Sequence, residues 1–216
     1  TKPGQSALVR TGTASGKTES FLIPILHDLL GEWQKRSHPL VGVRALFLYP
    51  LNALISSQRE RLVAGTGHFS DGLRFGLFNG LTPDRAEYGL DGPEVLDRRT
   101  LRSSPPPLLV TNATMLEYML VRPQDRPILD QSAGKLRWIV LDEAHTYLGS
   151  SAAEIALLLR RVLHAFKVDA CDVRFVATSA TIGGVDANAK LTDFLADLSG
   201  ATRERISVIS LSLIHI

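Results

Sequence analysis

Short apolar runs of strand length alternate along this chain with stretches of helical periodicity. No other feature constrains the fold as strongly. Strand patterns are expected at 7–10, 44–49, 73–78, 108–111, 138–141, 173–178 and 206–209. Several are continuously apolar rather than alternating, as strands covered on both faces are. Helical patterns fall between them at 17–33, 53–64, 113–121, 151–166 and 187–198. In the fourth, Ile155, Leu158, Leu159, Val162, Leu163 and Phe166 form one apolar stripe, with Arg160 and Arg161 off it. Strands alternating with helices build βαβ units, so the expected class is α/β, three layers around a mostly parallel central sheet. Pro24 stands inside the first helical pattern, where it removes a ladder bond and should bend the helix. The stretch 81–107 holds Pro83, Pro93, Pro105, Pro106 and Pro107 and is expected to be an exposed connection with one helix near 93–101.

The 216 residues suit one domain of this class, and 44% hydrophobic against 21% charged residues is ordinary for a globular chain. A net charge of +2 is too small to imply a partner, so any nucleic-acid footprint must be local. The single cysteine, Cys171, excludes an internal disulfide, reads as a bystander and fits a reducing cytoplasm. No apolar run approaches the ~18 residues a membrane span needs. The first residue is Thr1, and truncation at that end is expected. Residues 211–216, LSLIHI, resemble the translation of sequencing-adapter sequence and are set aside as a non-native tail, leaving 1–210 as the domain.

Residues 11–18, Thr-Gly-Thr-Ala-Ser-Gly-Lys-Thr, lie between an apolar strand pattern and a helical one and end in the GK[ST] of a phosphate loop. Small residues (Thr13, Ala14, Ser15, Gly16) let backbone N–H groups close around phosphate oxygens. Lys17 adds a point charge for the same oxygens, Thr18 a hydroxyl for Mg²⁺, and the helix N-terminus favours an anion. Thr11 replaces the first glycine of the general pattern. The alternative is an ordinary glycine-containing turn before a helix.

The apolar run 138–141 delivers Asp142, Glu143, Ala144 and His145 at its carboxyl end, the edge where open parallel sheets bind ligands. Asp142 suits Mg²⁺ opposite Thr18, and Glu143 suits a general base for an attacking water. His145 is a candidate coupling residue, with capping of the next loop as its alternative. One strand later, Thr178, Ser179, Ala180 and Thr181 offer short hydroxyls that can bond the acidic box, with Ser179 and Thr181 the coupling candidates.

With these three segments in order, the sequence resembles domain 1, the RecA-like ATP-binding domain, of superfamily 2 DEAD/DEAH-box helicases. Residues 11–18 resemble motif I, 142–145 motif II and 179–181 motif III. YPLNAL at 49–54, with Gln58, resembles motif Ia; Asn79 and Gly80 stand where these helicases have a glycine pair; Thr111 and Asn112 resemble motif Ib. The wording YPLNAL and LVTNATMLEYML is similar to large bacterial helicases of the Lhr-like and YprA-like kind.

The resemblance implies a P-loop NTPase fold, ATP and Mg²⁺ as cofactors, and ATP hydrolysis coupled to movement on nucleic acid. It implies that Pro50, Asn52, Gly80, Thr111 and Asn112 touch the phosphate backbone of a single strand, sequence-independent contacts for which short polar groups at strand ends are suited. The alternative for each is an ordinary strand-to-helix turn, and for Asn112 the cap of the helix starting at Ala113. It also implies a second RecA-like domain, outside this chain, that supplies arginine fingers. By that expectation the chain alone turns over ATP slowly or only binds it. A translocase subunit of a restriction or phage-defence system is the alternative parent.

Overall fold

A computed structural model describes residues 5–11, 16–36, 38–69, 72–86, 92–147, 151–180, 185–200 and 202–211. All seven expected strands form: β1 (Ser6–Thr11), β2 (Ala45–Leu48), β3 (Phe75–Phe78), β5 (Leu108–Thr111), β6 (Trp138–Leu141), β7 (Arg174–Ala180) and β8 (Ile206–Leu211). A two-residue strand, β4 (Glu94–Val95), joins them. Together they make one sheet in the order β4-β3-β5-β2-β6-β7-β1-β8, with every pairing parallel. β8 reaches Leu211, one residue into the stretch set aside as a tail, where it pairs with Thr11.

Side chains alternate along each strand between two apolar layers, the period-2 consequence of the pleat. Val9, Ala45, Phe47, Val110, Val140 and Val176 face a core shared with α1 (Lys17–Arg36) and α2 (Asn52–Thr66). Leu8, Leu46, Leu48, Leu109, Ile139, Leu141 and Ala177 face the opposite core. That second core holds α4 (Ala113–Val121), α5 (Arg126–Ser132), α6 (Ser151–Ala165) and α7 (Val185–Ser199). The arrangement is the α/β, RecA-like one that the resemblance implies, and the sheet is parallel throughout rather than mostly so.

α1 runs through Pro24 for twelve further residues to Arg36. Buried Phe21 and Leu22 on one side of the proline, and Ile25, Leu26 and Leu29 on the other, hold both halves against the sheet. The stretch 81–107 departs from the expected exposed connection. Its helix, α3 (Arg98–Ser103), starts later than expected, at the cap Asp97, whose side chain accepts from Thr100 N. Pro105, Pro106 and Pro107 are buried. Prolines lack a donor but keep their carbonyls: Pro105 O accepts from Gly42 N at 2.6 Å, and Pro107 O from Arg44 N and Ala45 N at 2.9 Å. α5 was not expected at all; Pro127 in its first turn and only seven residues leave a weak periodic signal. No helix among the described residues is long and apolar enough to cross a membrane.

Candidate nucleotide site and strand-end surface

Because every strand runs the same way, every strand end with chemistry faces one edge of the sheet. The pairs Leu48 with Leu141, Leu141 with Ala177, and Thr11 with Ala180 put the ends of β2, β6, β7 and β1 side by side. Lys17 opens α1 just beyond β1, after Gly16. Gly16 has φ of +71°, left-handed backbone that glycine adopts without the strain a side chain brings. Thr13, Ala14 and Ser15 of the phosphate loop lie outside the described residues, as does Thr181.

Across 126 residues of sequence, Lys17 Nζ meets Glu143 Oε1 at 2.6 Å. Glu143 follows β6 in a left-handed conformation, φ +48°, which costs a non-glycine residue about 1–3 kcal/mol. The turn brings its carboxylate to Lys17 at the start of α1. Its other oxygen lies 3.3 Å from His145 Nδ1, and that nitrogen lies 3.4 Å from Ser179 Oγ. Lys17, Glu143, His145 and Ser179 thus form one chain of polar contacts linking the ends of β1, β6 and β7.

Asp142 is buried at 6% exposure. Burial pushes its carboxyl pKa up, and the neighbouring Glu143 charge adds to this; a hydrogen bond from Thr178 and the Lys17 charge act in the opposite direction without cancelling it. The Thr178 hydroxyl, itself fully buried, donates to Asp142 Oδ1 and accepts from Glu143 N at 3.3 Å. Thr178 and Ser179 of the hydroxyl run thus both meet the acidic box, Thr178 at Asp142 and Glu143 and Ser179 at His145. The position of Thr178 as the first hydroxyl of that run was the available signal.

Thr18 is also buried. Its hydroxyl donates to Gln58 Oε1 at 3.0 Å and accepts from Arg61 Nη1 at 2.7 Å. Both partners come from α2. Sequence reasoning singled out Gln58 but not Arg61, whose place beside Thr18 follows from how α2 packs on α1.

The other expected residues cluster on the neighbouring strand ends. Register aligns Phe78 with Thr111 and Thr111 with Leu48, so Gly80, Thr111, Asn112 and Pro50 share one stretch of the edge. Gly80 is exposed, with open space where a side chain would stand. Its loop is built: Asn79 Oδ1 accepts from Leu81 N at 2.8 Å, and Arg98 donates to the Asn79 and Thr82 carbonyls, both at 2.8 Å. Thr111 is fully buried, its hydroxyl donating to Phe78 O at 2.6 Å, and Asn112 caps α4 by accepting from Met115 N at 2.8 Å. Of Asn52 only the backbone is described, at the start of α2. An open cleft of about 440 Å³ brings Pro50 and Asn112 together with Thr146 and Tyr147, from the turn that carries His145.

Among known proteins, the chain is 29% identical to the Druantia protein DruE of Escherichia coli (strain UMEA 4076-1), over 94% of this chain and 16% of that protein. It is 27% identical to the ATP-dependent helicase YprA of Bacillus subtilis (strain 168), over 83% of this chain and 21% of that one. The chain thus spans about a fifth or less of these relatives. A crystal structure of the DUF1998 helicase MrfA bound to DNA matches with a TM-score of 0.68 at 24% identity, covering 96% of this chain and 25% of MrfA; this is a likeness of fold. The family model described as DEAD/DEAH box helicase matches residues 1–188, and the chain belongs to that family.

Proposed function

We propose that this chain is the ATP-binding half of a nucleic-acid-dependent ATPase motor, holding Mg·ATP at the ends of β1, β6 and β7 and one strand of nucleic acid at the ends of β3, β5 and β2. The 2.6 Å pair between Lys17 and Glu143 carries the reading. It joins a phosphate-loop lysine to an acidic-box carboxylate across two strands, and each group is a charge that an incoming nucleotide would reassign. Lys17 trades Glu143 for β- and γ-phosphate oxygens. Glu143, released, accepts a proton from the water whose oxygen attacks the γ-phosphorus, while the bond to the bridging oxygen breaks and ADP leaves.

The residues fit a hard divalent cation. The Thr18 oxygen and a buried Asp142 carboxylate are hard donors, and burial makes that carboxylate's charge costly until a cation offsets it. Among the described residues no group of three or more His, Cys, Asp or Glu gathers as a metal cage. Magnesium does not need one, because phosphates and water complete its shell. Bound there by Thr18 and Asp142, it would neutralise charge on the phosphates. Thr178 holds Asp142 in place, and the polar path through His145 to Ser179 carries the state of the site to β7.

The cation that neutralises the transition state from the far side belongs, on this reading, to a second RecA-like domain. Such fingers are worth ~10³ to 10⁵ in rate. Among the described arginines, Arg102 pairs with Asp125 at 2.7 Å, Arg122 lies over the Tyr118 ring, and Arg126 is exposed 3.7 Å from Asp130. A steady-state ATPase assay with and without single strands tests this, with Glu143→Gln alongside. Very slow turnover and no duplex separation are expected of this chain alone. Robust strand-stimulated turnover, abolished by Glu143→Gln, would show a complete enzyme and end the half-motor reading. In a version carrying the second domain, stimulated turnover without duplex separation would favour the translocase alternative.

A further inference from the structure

The Thr18 hydroxyl has one proton and lone pairs to place. The proton goes to Gln58 Oε1, 3.0 Å away, and the oxygen accepts from the Arg61 guanidinium at 2.7 Å. A metal ion bound by this oxygen leaves the bond to Gln58 intact, because that bond uses the hydroxyl's hydrogen. It competes with Arg61 through charge: a guanidinium 2.7 Å from this oxygen is a like charge crowding any cation that binds its remaining lone pair. Arg61 has somewhere else to go: its side chain is 46% exposed, and Glu19 Oε1, itself half exposed, lies 3.5 Å away. Tyr49 feels both this cation and the acidic box. Its buried hydroxyl has a pKa raised by burial first and by the Asp142 charge second, with Arg61 pulling it down, so Asp142 and Arg61 both act on that one ring.

We propose that Arg61 is a resident counter-cation of the metal-binding hydroxyl, holding Thr18 in the nucleotide-free chain and leaving it for Glu19 when Mg²⁺ arrives. This rests on the Mg·ATP reading above and adds a competitor to it. In the empty site Arg61 supplies positive charge at the Thr18 hydroxyl. The arrangement scales apparent metal affinity by the fraction of time Thr18 is free of the guanidinium. For an occupancy of roughly 70–90% that is on the order of threefold to tenfold.

Calorimetry with the non-hydrolysable analogue AMPPNP, in excess Mg²⁺ and separately in EDTA, reads this directly. Arg61→Ala is expected to bind Mg·AMPPNP about threefold to tenfold more tightly than the unaltered chain, with no gain in EDTA. Arg61→Gln, which keeps a donor without the charge, should show the same gain. Thermal melts in EDTA without nucleotide should place the midpoint of Arg61→Ala below that of the unaltered chain, with the gap closing in Mg·AMPPNP. Equal or weaker Mg·AMPPNP binding by both variants overturns the proposal, since Arg61 is then a bystander or a phosphate contact. Failure of the underlying site looks different: the unaltered chain would bind no Mg·AMPPNP, or Lys17→Ala would bind it equally well, and the proposal falls with it.

Discussion

At the scale of single residues, the site is a set of charges held ready at some cost to stability. Lys17 and Glu143 neutralise each other at 2.6 Å, and both are only partly exposed. Replacing Lys17 with alanine removes a charge-assisted contact of about 1.5–3 kcal/mol, so Mg·ATP affinity should fall roughly tenfold to a hundredfold with the fold intact. Calorimetry beside a circular-dichroism melt checks both halves of that statement. Asp142 makes the cost visible through pH. Its folded pKa lies above the ordinary 3.8, so the folded chain binds its proton more tightly than the unfolded one. Its contribution to stability is therefore greatest below that ordinary value and is lost as pH rises through the folded value. Asp142→Asn, which keeps an oxygen for the Thr178 hydroxyl, should be more stable than the unaltered chain at neutral pH. The difference should shrink as pH falls toward 3.8, and melts across that range measure it. A variant no more stable at neutral pH would show that burial of this carboxylate carries no penalty.

At the scale of elements, α1 works at both of its ends. Its first turn carries Lys17 and Thr18. One face of its second half carries Asp28 and Glu32, which meet the opposite, amino edge of the sheet. There Glu32 binds Arg44 at 2.9 Å and Arg137 at 2.8 Å, while Asp28 accepts from Trp138 Nε1 at 2.8 Å. Burial disfavours the Glu32 charge, but the hydrogen bond and charge of Arg44, with Arg137 and Arg36, outweigh it and hold its pKa below 4.5. This pair stabilises the fold above pH 4.5 and is lost as pH falls through the lowered value. Arg44 is only 2% exposed, so removing its partner strands a buried charge. Glu32→Ala should cost roughly 3 kcal/mol at neutral pH, read from denaturant unfolding. A loss under about 1 kcal/mol would mean that the Val41 and Gly42 carbonyls, which Arg44 also contacts, suffice alone. None of this was legible beforehand. Helical spacing puts Asp28 and Glu32 on one face, but nothing in it says which strand starts lie beneath.

At the scale of the molecule, the strand order divides the carboxyl edge into two halves. β6, β7 and β1 carry the groups proposed to hold nucleotide; β3, β5 and β2 carry Gly80, Thr111, Asn112 and Pro50. The second half offers backbone groups and few cations, and the whole chain has a net charge of only +2. Single strands should therefore bind weakly, through few phosphate contacts, with affinity falling as salt rises at a slope of about 0.7 per contact. Arg98→Ala, which unclamps the Gly80 loop, should weaken that binding and leave nucleotide affinity unchanged. Fluorescence anisotropy from low to high salt tests both, and salt-independent binding would rule out phosphate contacts.

The sequence by itself determined the class of fold and the family of the chain, and it supplied the side-chain groups of each segment. Continuous apolar runs are strands because both faces are covered, and a glycine-rich turn, an acidic pair and a hydroxyl run at strand ends announce what each end can hold. It stopped at short elements such as β4 and α5, at which hydroxyl of the run 178–181 meets Asp142, and at Arg61. Those depend on which strands lie side by side and how α2 packs on α1. In the chain the two sets of segments are interleaved: phosphate loop, Pro50, Gly80, Asn112, acidic box, hydroxyls. Only the tertiary structure sorts them into two adjoining halves, because in a parallel sheet each crossover returns the chain to the same edge but leaves the order of the strands to packing.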